Sequence, residues 1–269
     1  MVTGVLGLLL LQFGLTARDQ VEQSQRLLDR ARAELRWHTL EAELKFELLT
    51  QPWVAGASTP NGDESMAARW RFDDQPFEIG GDLIRLQDVA GLLSLPQGPG
   101  SMEEFEALLV ALDVAPDKAR LVATGLLTRL TTSESLPLQS ALELRYLGLT
   151  MSEIDRLRLA STSYPNQSFN PSTAPRAVLM ARYRSASLQR ALLALREQGK
   201  LDFGGYAAVL DSPADDFTVF FPGPAFRWQI VARQGSSGVG RERTWVVRPY
   251  DSEPLLLWES RDLSLMDPT

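Results

Sequence analysis

At 269 residues the chain is long enough to build one large domain or two modest ones around a real core. Apolar residues make up 44% and charged residues 23%, which excludes wholesale disorder and collagen-like repeats. The net charge of −7 argues against a phosphate-binding surface, the absence of cysteine removes disulfides, thiol catalysis and cysteine metal sites, and a single histidine, His38, leaves no multi-histidine metal centre.

Residues 2–15 read VTGVLGLLLLQFGL, uncharged and with one side-chain amide, Gln12. A membrane-spanning helix needs about 20 apolar residues, and a signal peptide needs a basic segment ahead of its apolar run. No Lys or Arg precedes Val2. The reading adopted is a membrane anchor whose first residues lie upstream of Met1, because the helical pattern continues past Leu15. Residues 16–51 contain neither proline nor glycine and are rich in Leu, Ala, Glu, Gln and Arg, all good helix formers. Val21, Leu28, Leu35, Ala42 and Leu49 recur every seven residues, and Leu27, Ala31, Leu40, Leu44 and Leu48 widen that stripe. The pattern predicts one helix over 5–50, about 70 Å long, ended by Pro52. Its second half reads as a core face, with a dimeric coiled coil as the alternative. His38 lies at the stripe's edge and reads as a boundary residue donating a hydrogen bond.

Turn formers over 56–64, including Asn61-Gly62, then separate this helix from alternating segments. Strands are expected at 69–72, 77–79 and 83–86, the last two forming a hairpin about Gly80-Gly81-Asp82, with 88–95 closing the sheet segment. Helices follow at 102–112, 116–130, 140–146 and 152–160, then one near Ala174 capped by Ser172 or Thr173, and one at 188–198 stopped by Gly199. Strands return at 217–221, 226–233, 244–248 and 255–259, with a loop at Gly235-Ser236-Ser237-Gly238. Strands split by helices predict an α+β fold: a sheet packed on the long helix, with a helical subdomain inserted into it. The expected divisions are 1–17 membrane-anchoring helix, 18–51 amphipathic continuation, 52–95 first sheet part, 96–200 helical insert and 201–269 completing strands.

A greasy amino-terminal helix running into an amphipathic one and then a sheet is similar to the pilin plan. The stretch Leu83-Ile84-Arg85-Leu86-Gln87-Asp88-Val89-Ala90-Gly91-Leu92-Leu93-Ser94-Leu95 resembles the "strand, Asp-x-x-Gly, apolar" signature of the minor pseudopilin K family of type II secretion. Pro137 to Thr150, around Glu143-Leu144 and Gly148-Leu149-Thr150, resembles that family's following segment, and Asn170-Pro171-Ser172-Thr173-Ala174 its "Asn-x-Asn-Thr-Ala" turn. The resemblance implies a non-enzymatic subunit at the tip of the periplasmic pseudopilus, partnered by minor pseudopilins I and J, with a single-pass inner-membrane helix and a periplasmic domain in a Gram-negative envelope. It makes Gly4-Val5 the candidate prepilin-peptidase cleavage point. Leu6, Leu8, Leu9, Leu10, Leu11, Phe13 and Leu15 become the assembly and membrane helix, and Val21, Leu28, Leu35, Ala42 and Leu49 its packing face. Cleavage at Gly4 would put Leu9 at the fifth mature position, where major pilins carry glutamate and the K subunit does not.

The family's calcium-associated acidic stretch has no counterpart in 127–135, which lacks aspartate, so no cofactor is expected there. Asp73-Asp74 and Asp215-Asp216 read as turn residues. No Gly-x-Ser-x-Gly, phosphate loop or His-Glu-x-x-His is present, so no enzyme activity and no small-molecule substrate are expected. The alternatives are a minor pilin-like subunit of a type IV pilus and a helix-hairpin-helix DNA binder around Gly148. For the latter the chain has three lysines, and Arg145, Arg156 and Arg158 are answered by Glu143, Glu153 and Asp155, so no nucleic acid is expected.

Overall fold

The computed structural model describes residues 2–50, 72–132, 138–211, 214–235 and 237–263, with the side chains of 2–11 and of Pro99 left aside. Helix α1, Val2–Thr50, is unbroken, as its freedom from proline and its helix-forming composition require. Its carboxyl half lies on a five-stranded antiparallel sheet of order β1-β2-β5-β6-β7. The strands are β1 Phe77–Ile79, β2 Asp82–Asp88, β5 Ala225–Gln234, β6 Ser237–Val247 and β7 Leu255–Asp262. The β1–β2 turn needs two glycines because both Gly80 and Gly81 have positive φ, 59° and 90°.

Between β2 and β5 the chain leaves the sheet to build a helical block. It holds α2 Met102–Ala111, α3 Pro116–Thr131, a 3-10 helix Ala141–Leu147, α4 Met151–Ala160, α5 Arg176–Arg182, α6 Ala186–Glu197 and α7 Phe203–Leu210. Two further strands, β3 Leu93–Ser94 and β4 Ser161–Thr162, pair in parallel within it. Capping boxes start the two helices around Gly148: Ser140 with Glu143, and Thr150 with Glu153. Gly148 itself takes φ 100° at the turn.

Two large cores result, with a small third cluster of Val89, Ala225 and Val246 beside them. One seals α1 against the sheet through Ala33, Trp37, Leu40, Leu44, Leu48, Ile84, Leu86, Phe226, Trp228 and Ile230. The other fills the helical block around Phe105, Leu108, Val122, Leu126, Leu157, Leu179 and Leu192. The fold is therefore α+β, with a long amino-terminal helix on an antiparallel sheet and an all-helical insertion.

Several expectations are corrected. Residues 88–95 do not form one strand: β2 ends at Asp88, a 3-10 turn Val89–Gly91 follows, and Leu93–Ser94 joins the second sheet. Asp88 causes the break by capping that turn, its carboxylate accepting from the Ala90 N–H. Residues 217–221 make a turn with one bridge, Phe169 to Thr218, because Asp215 captures the Phe217 N–H and the Thr218 hydroxyl. The N-cap of α5 is Pro175 rather than Ser172 or Thr173, and α7 was not expected. The β5–β6 turn is tighter than the expected loop, since Ser237 and Gly238 already pair with Gln234 and Arg233. Of the expected strand at 69–72 only Phe72 is described; the turn at 61–62 lies outside the described residues.

Candidate assembly surface and the joint behind it

Which side of α1 meets the sheet is decided by Trp37. Its ring is fully buried and carries the guanidinium groups of Arg243 and Arg241 from β6, at 4.5 and 4.8 Å from the ring centroid. Those cations are in turn paired with α1: Arg243 with Glu41 at 2.5 Å and Arg241 with Glu34 at 3.0 Å. Next to Trp37, Arg36 binds the buried Asp82 at 2.7 Å, and about two turns on Lys45 sits 4.0 Å over the Trp245 ring. Ala33, Trp37, Leu40, Leu44 and Leu48 complete this face at helical spacing, each buried.

The heptad Val21, Leu28, Leu35, Ala42 and Leu49 is not that face. Val21 and Leu35 are each 69% exposed, and Leu28, Ala42 and Leu49 are exposed as well. At about 100° per residue these five lie on the side of α1 turned away from the sheet. Phe13, Phe46 and Ala31 fall on the same side and are also exposed. Between Gln20 and Leu49, a sector of roughly 120° centred on this stripe contains no Asp, Glu, Lys or Arg. The helix is thus apolar on two opposite sides, one covered and one bare. His38 borders the bare side, exposed, with its ring edge-on to Trp37 at 5.1 Å.

From Gln12 to Leu28 no residue of α1 is buried, so roughly 25 Å of helix there runs beyond the globule. Phe13 and Leu15 are exposed there; the side chains of Leu6, Leu8, Leu9, Leu10 and Leu11 and the Gly4-Val5 junction lie outside the described side chains. Among the described residues no helix is long and apolar enough to cross a membrane. The uncharged stretch 2–15 rises about 21 Å, against a hydrocarbon core of about 30 Å.

One buried carboxylate ties the helical block to the sheet. Asp88, at the end of β2, accepts from the Ala90 and Gly223 N–H groups at 2.9 and 3.1 Å on one oxygen. The other oxygen accepts from Asn170 Nδ2 and Thr173 Oγ1, both at 2.9 Å. Burial pushes the Asp88 carboxyl above its ordinary value, and the four donors pull against that. Gln87 adds a bond to the Thr173 carbonyl at 3.0 Å. Gly91 packs so closely that a Cβ there would sit 2.7–2.8 Å from Thr173. The Asp88-x-x-Gly91 and Asn170-x-x-Thr173 motifs, 82 residues apart in sequence at Asp88 and Asn170, are therefore two halves of one joint. A second tie runs from Arg227 on β5 to the carbonyls of Arg158 and, at 2.7 Å, Ser161.

No family model matches the chain, and no curated protein matches it. Among solved structures, it is similar to a chain in the crystal structure of the GspK-GspI-GspJ complex from the enterotoxigenic Escherichia coli type 2 secretion system. The identity is 16%, the match covers 93% of this chain and 99% of that one, and the TM-score is 0.49.

The remaining sequence candidates find ordinary partners. Asp74 takes φ 63° and pairs with Arg85 at 3.6 Å; burial raises its carboxyl while Arg85 pulls it down. Among the described residues no three Asp, Glu or His side chains converge as a metal site. At the Gly148 hairpin the charges are paired across helices, Lys118 with Glu153 at 2.6 Å and Arg129 with Glu143 at 2.5 Å. Sequence reasoning also missed the joint: both motifs were visible, but nothing in the sequence placed Asp88 against Asn170.

Proposed function

We propose that the chain is a non-enzymatic, K-type minor pseudopilin that works at the tip of a type II secretion pseudopilus, assembling with minor pseudopilins I and J to support protein export. The observation that carries this reading is the bare, charge-free stripe of α1 opposite its sheet-packing face. A helix already anchored on one side and apolar on the other has a face for neighbouring helices, and the amino-terminal half projects to where such neighbours would stand. The motif resemblance at Asp88–Gly91 and Asn170–Thr173 supports the family assignment. In this reading the uncharged opening of α1 lodges in the inner membrane before assembly, the globular part faces the periplasm, and the helical block makes the subunit too broad for another to add above it.

Leu35→Glu tests the reading directly. Leu35 is exposed, so the monomer should melt as before, while co-purification with co-expressed pseudopilins I and J is lost. Retained co-purification at wild-type yield would refute the assignment of this stripe to assembly.

A further inference from the structure

A cavity of about 460 Å³ opens on the helical block between the turn after β3 and the segment 165–169. That volume is within the range of pockets that take small organic ligands. Leu92, Leu93 and Leu95 give it an aliphatic wall. The Phe169 ring, also on the wall, is already covered by the Arg182 guanidinium at 4.2 Å. The charges of the lining cancel. They are Arg182 and Glu104, 3.5 Å apart, and their side chains are 31% and 28% exposed. A charged ligand would shed its hydration here and find no unpaired opposite charge in return.

The rest of the polar lining is neutral, and it divides into spent and free groups. Ser94 and Asn166 are spent on the wall itself: the Asn166 N–H donates to Ser94 Oγ at 3.0 Å, and Asn166 Nδ2 to the Val89 carbonyl at 3.3 Å. Gln97 and Ser101 each make one long bond, 3.4 Å, to a nearby carbonyl. The Gln167 amide and the Ser168 hydroxyl make no hydrogen bond among the described residues. Side-chain amides and hydroxyls both donate and accept. Four such groups, an aliphatic wall and a self-neutralised ion pair call for an uncharged ligand that carries donors, acceptors and a C–H face together.

We propose that this cavity binds a neutral saccharide of one or two N-acetylated hexosamine rings. The acetamido methyl and the ring C–H groups lie against Leu92, Leu93 and Leu95. The acetamide N–H and C=O exchange hydrogen bonds with the amides of Gln97 and Gln167. The ring hydroxyls take up Ser101, Ser168 and the exposed side of the Arg182–Glu104 pair. The assignment does not depend on the pseudopilin reading.

The test is titration calorimetry of the full chain with N,N′-diacetylchitobiose, for which saturable binding is expected. Chitobiose, the same disaccharide with free protonated amines, loses the acetamides and brings two charges, and should bind about tenfold more weakly or worse. Gln167→Ala and Ser168→Ala should each weaken binding about threefold to tenfold without moving the circular-dichroism melt. Gly100→Trp, where a Cβ meets nothing within 4 Å, blocks the mouth and should abolish binding. Absent saturation, equal affinity for chitobiose, or wild-type affinity in all three folded variants would each overturn the proposal. So would displacement of the sugar by an end-capped hexapeptide of alternating valine and threonine, which would make the cavity a peptide site.

Discussion

Asp88→Asn keeps the shape of the joint and changes only its hydrogen-bond logic. The retained oxygen can still accept from Ala90 and Gly223, but the new amide nitrogen would face two donors, Asn170 Nδ2 and Thr173 Oγ1. Two bonds to a charged acceptor are worth roughly 1.5–3 kcal/mol each. Relief from burying a charge, the same burial that raises the Asp88 carboxyl, offsets part of that loss. The net destabilisation expected is roughly 2–4 kcal/mol, a fall in Tm of about 5–10 °C for a chain of this size. Because Asp88 stands between the two large cores, the loss should also divide one urea transition into two. Tryptophan fluorescence would follow the sheet core, which holds Trp37, Trp228 and Trp245, and far-ultraviolet circular dichroism the helices. An unchanged midpoint, within about 0.5 kcal/mol, would refute the claim that this carboxylate holds the helical block to the sheet.

Three other perturbations give equally definite outcomes. Leu40→Ala should cost roughly 2–5 kcal/mol by chemical denaturation and Leu35→Ala no more than about 0.5, because only Leu40 is buried; equal costs would mean α1 is turned the other way. Gly91→Ala pushes a methyl into the Thr173 backbone and should destabilise by roughly 1–3 kcal/mol, read as a lowered Tm. Lys118, bonding both Glu153 oxygens at 2.9 and 2.6 Å, and the Thr150 N–H hold the Glu153 carboxyl down at about 2. A lowered folded-state value contributes stability above the ordinary 4.5 that is lost as pH falls towards 2. Glu153→Gln should therefore lose roughly 1 kcal/mol at neutral pH and show a flatter stability profile across that acid window.

Local signals in the sequence reached the elements they govern. The absence of helix breakers marked α1, the glycine pair marked the β1–β2 hairpin, and Pro116 marked the start of α3. What they could not settle was which of two leucine stripes on α1 faces inward. Both are apolar and both fit a helix, and the seven-residue repeat picked out the bare one. The deciding residue was Trp37, whose cation partners sit on β6, more than two hundred residues away in the chain. The aromatic run at 217–221 had strand composition, yet a neighbouring aspartate side chain competed successfully for its backbone. At α7, Gly204 and Gly205 weakened the helical signal, though Asp202 was in place to cap it through the Gly205 N–H at 2.8 Å. The joint at Asp88 depends on contacts between segments that no local pattern reports.

The chain leaves the sheet after Asp88 and returns at Ala225, and Asp88 is paired with Phe226 in the ladder. Exit and return are therefore next-door rungs on adjacent strands. A passenger mounted this way can be lengthened, shortened or swapped for another without shifting the register of its carrier. The same stem-and-sheet frame could thus present very different heads from one fixed doorway.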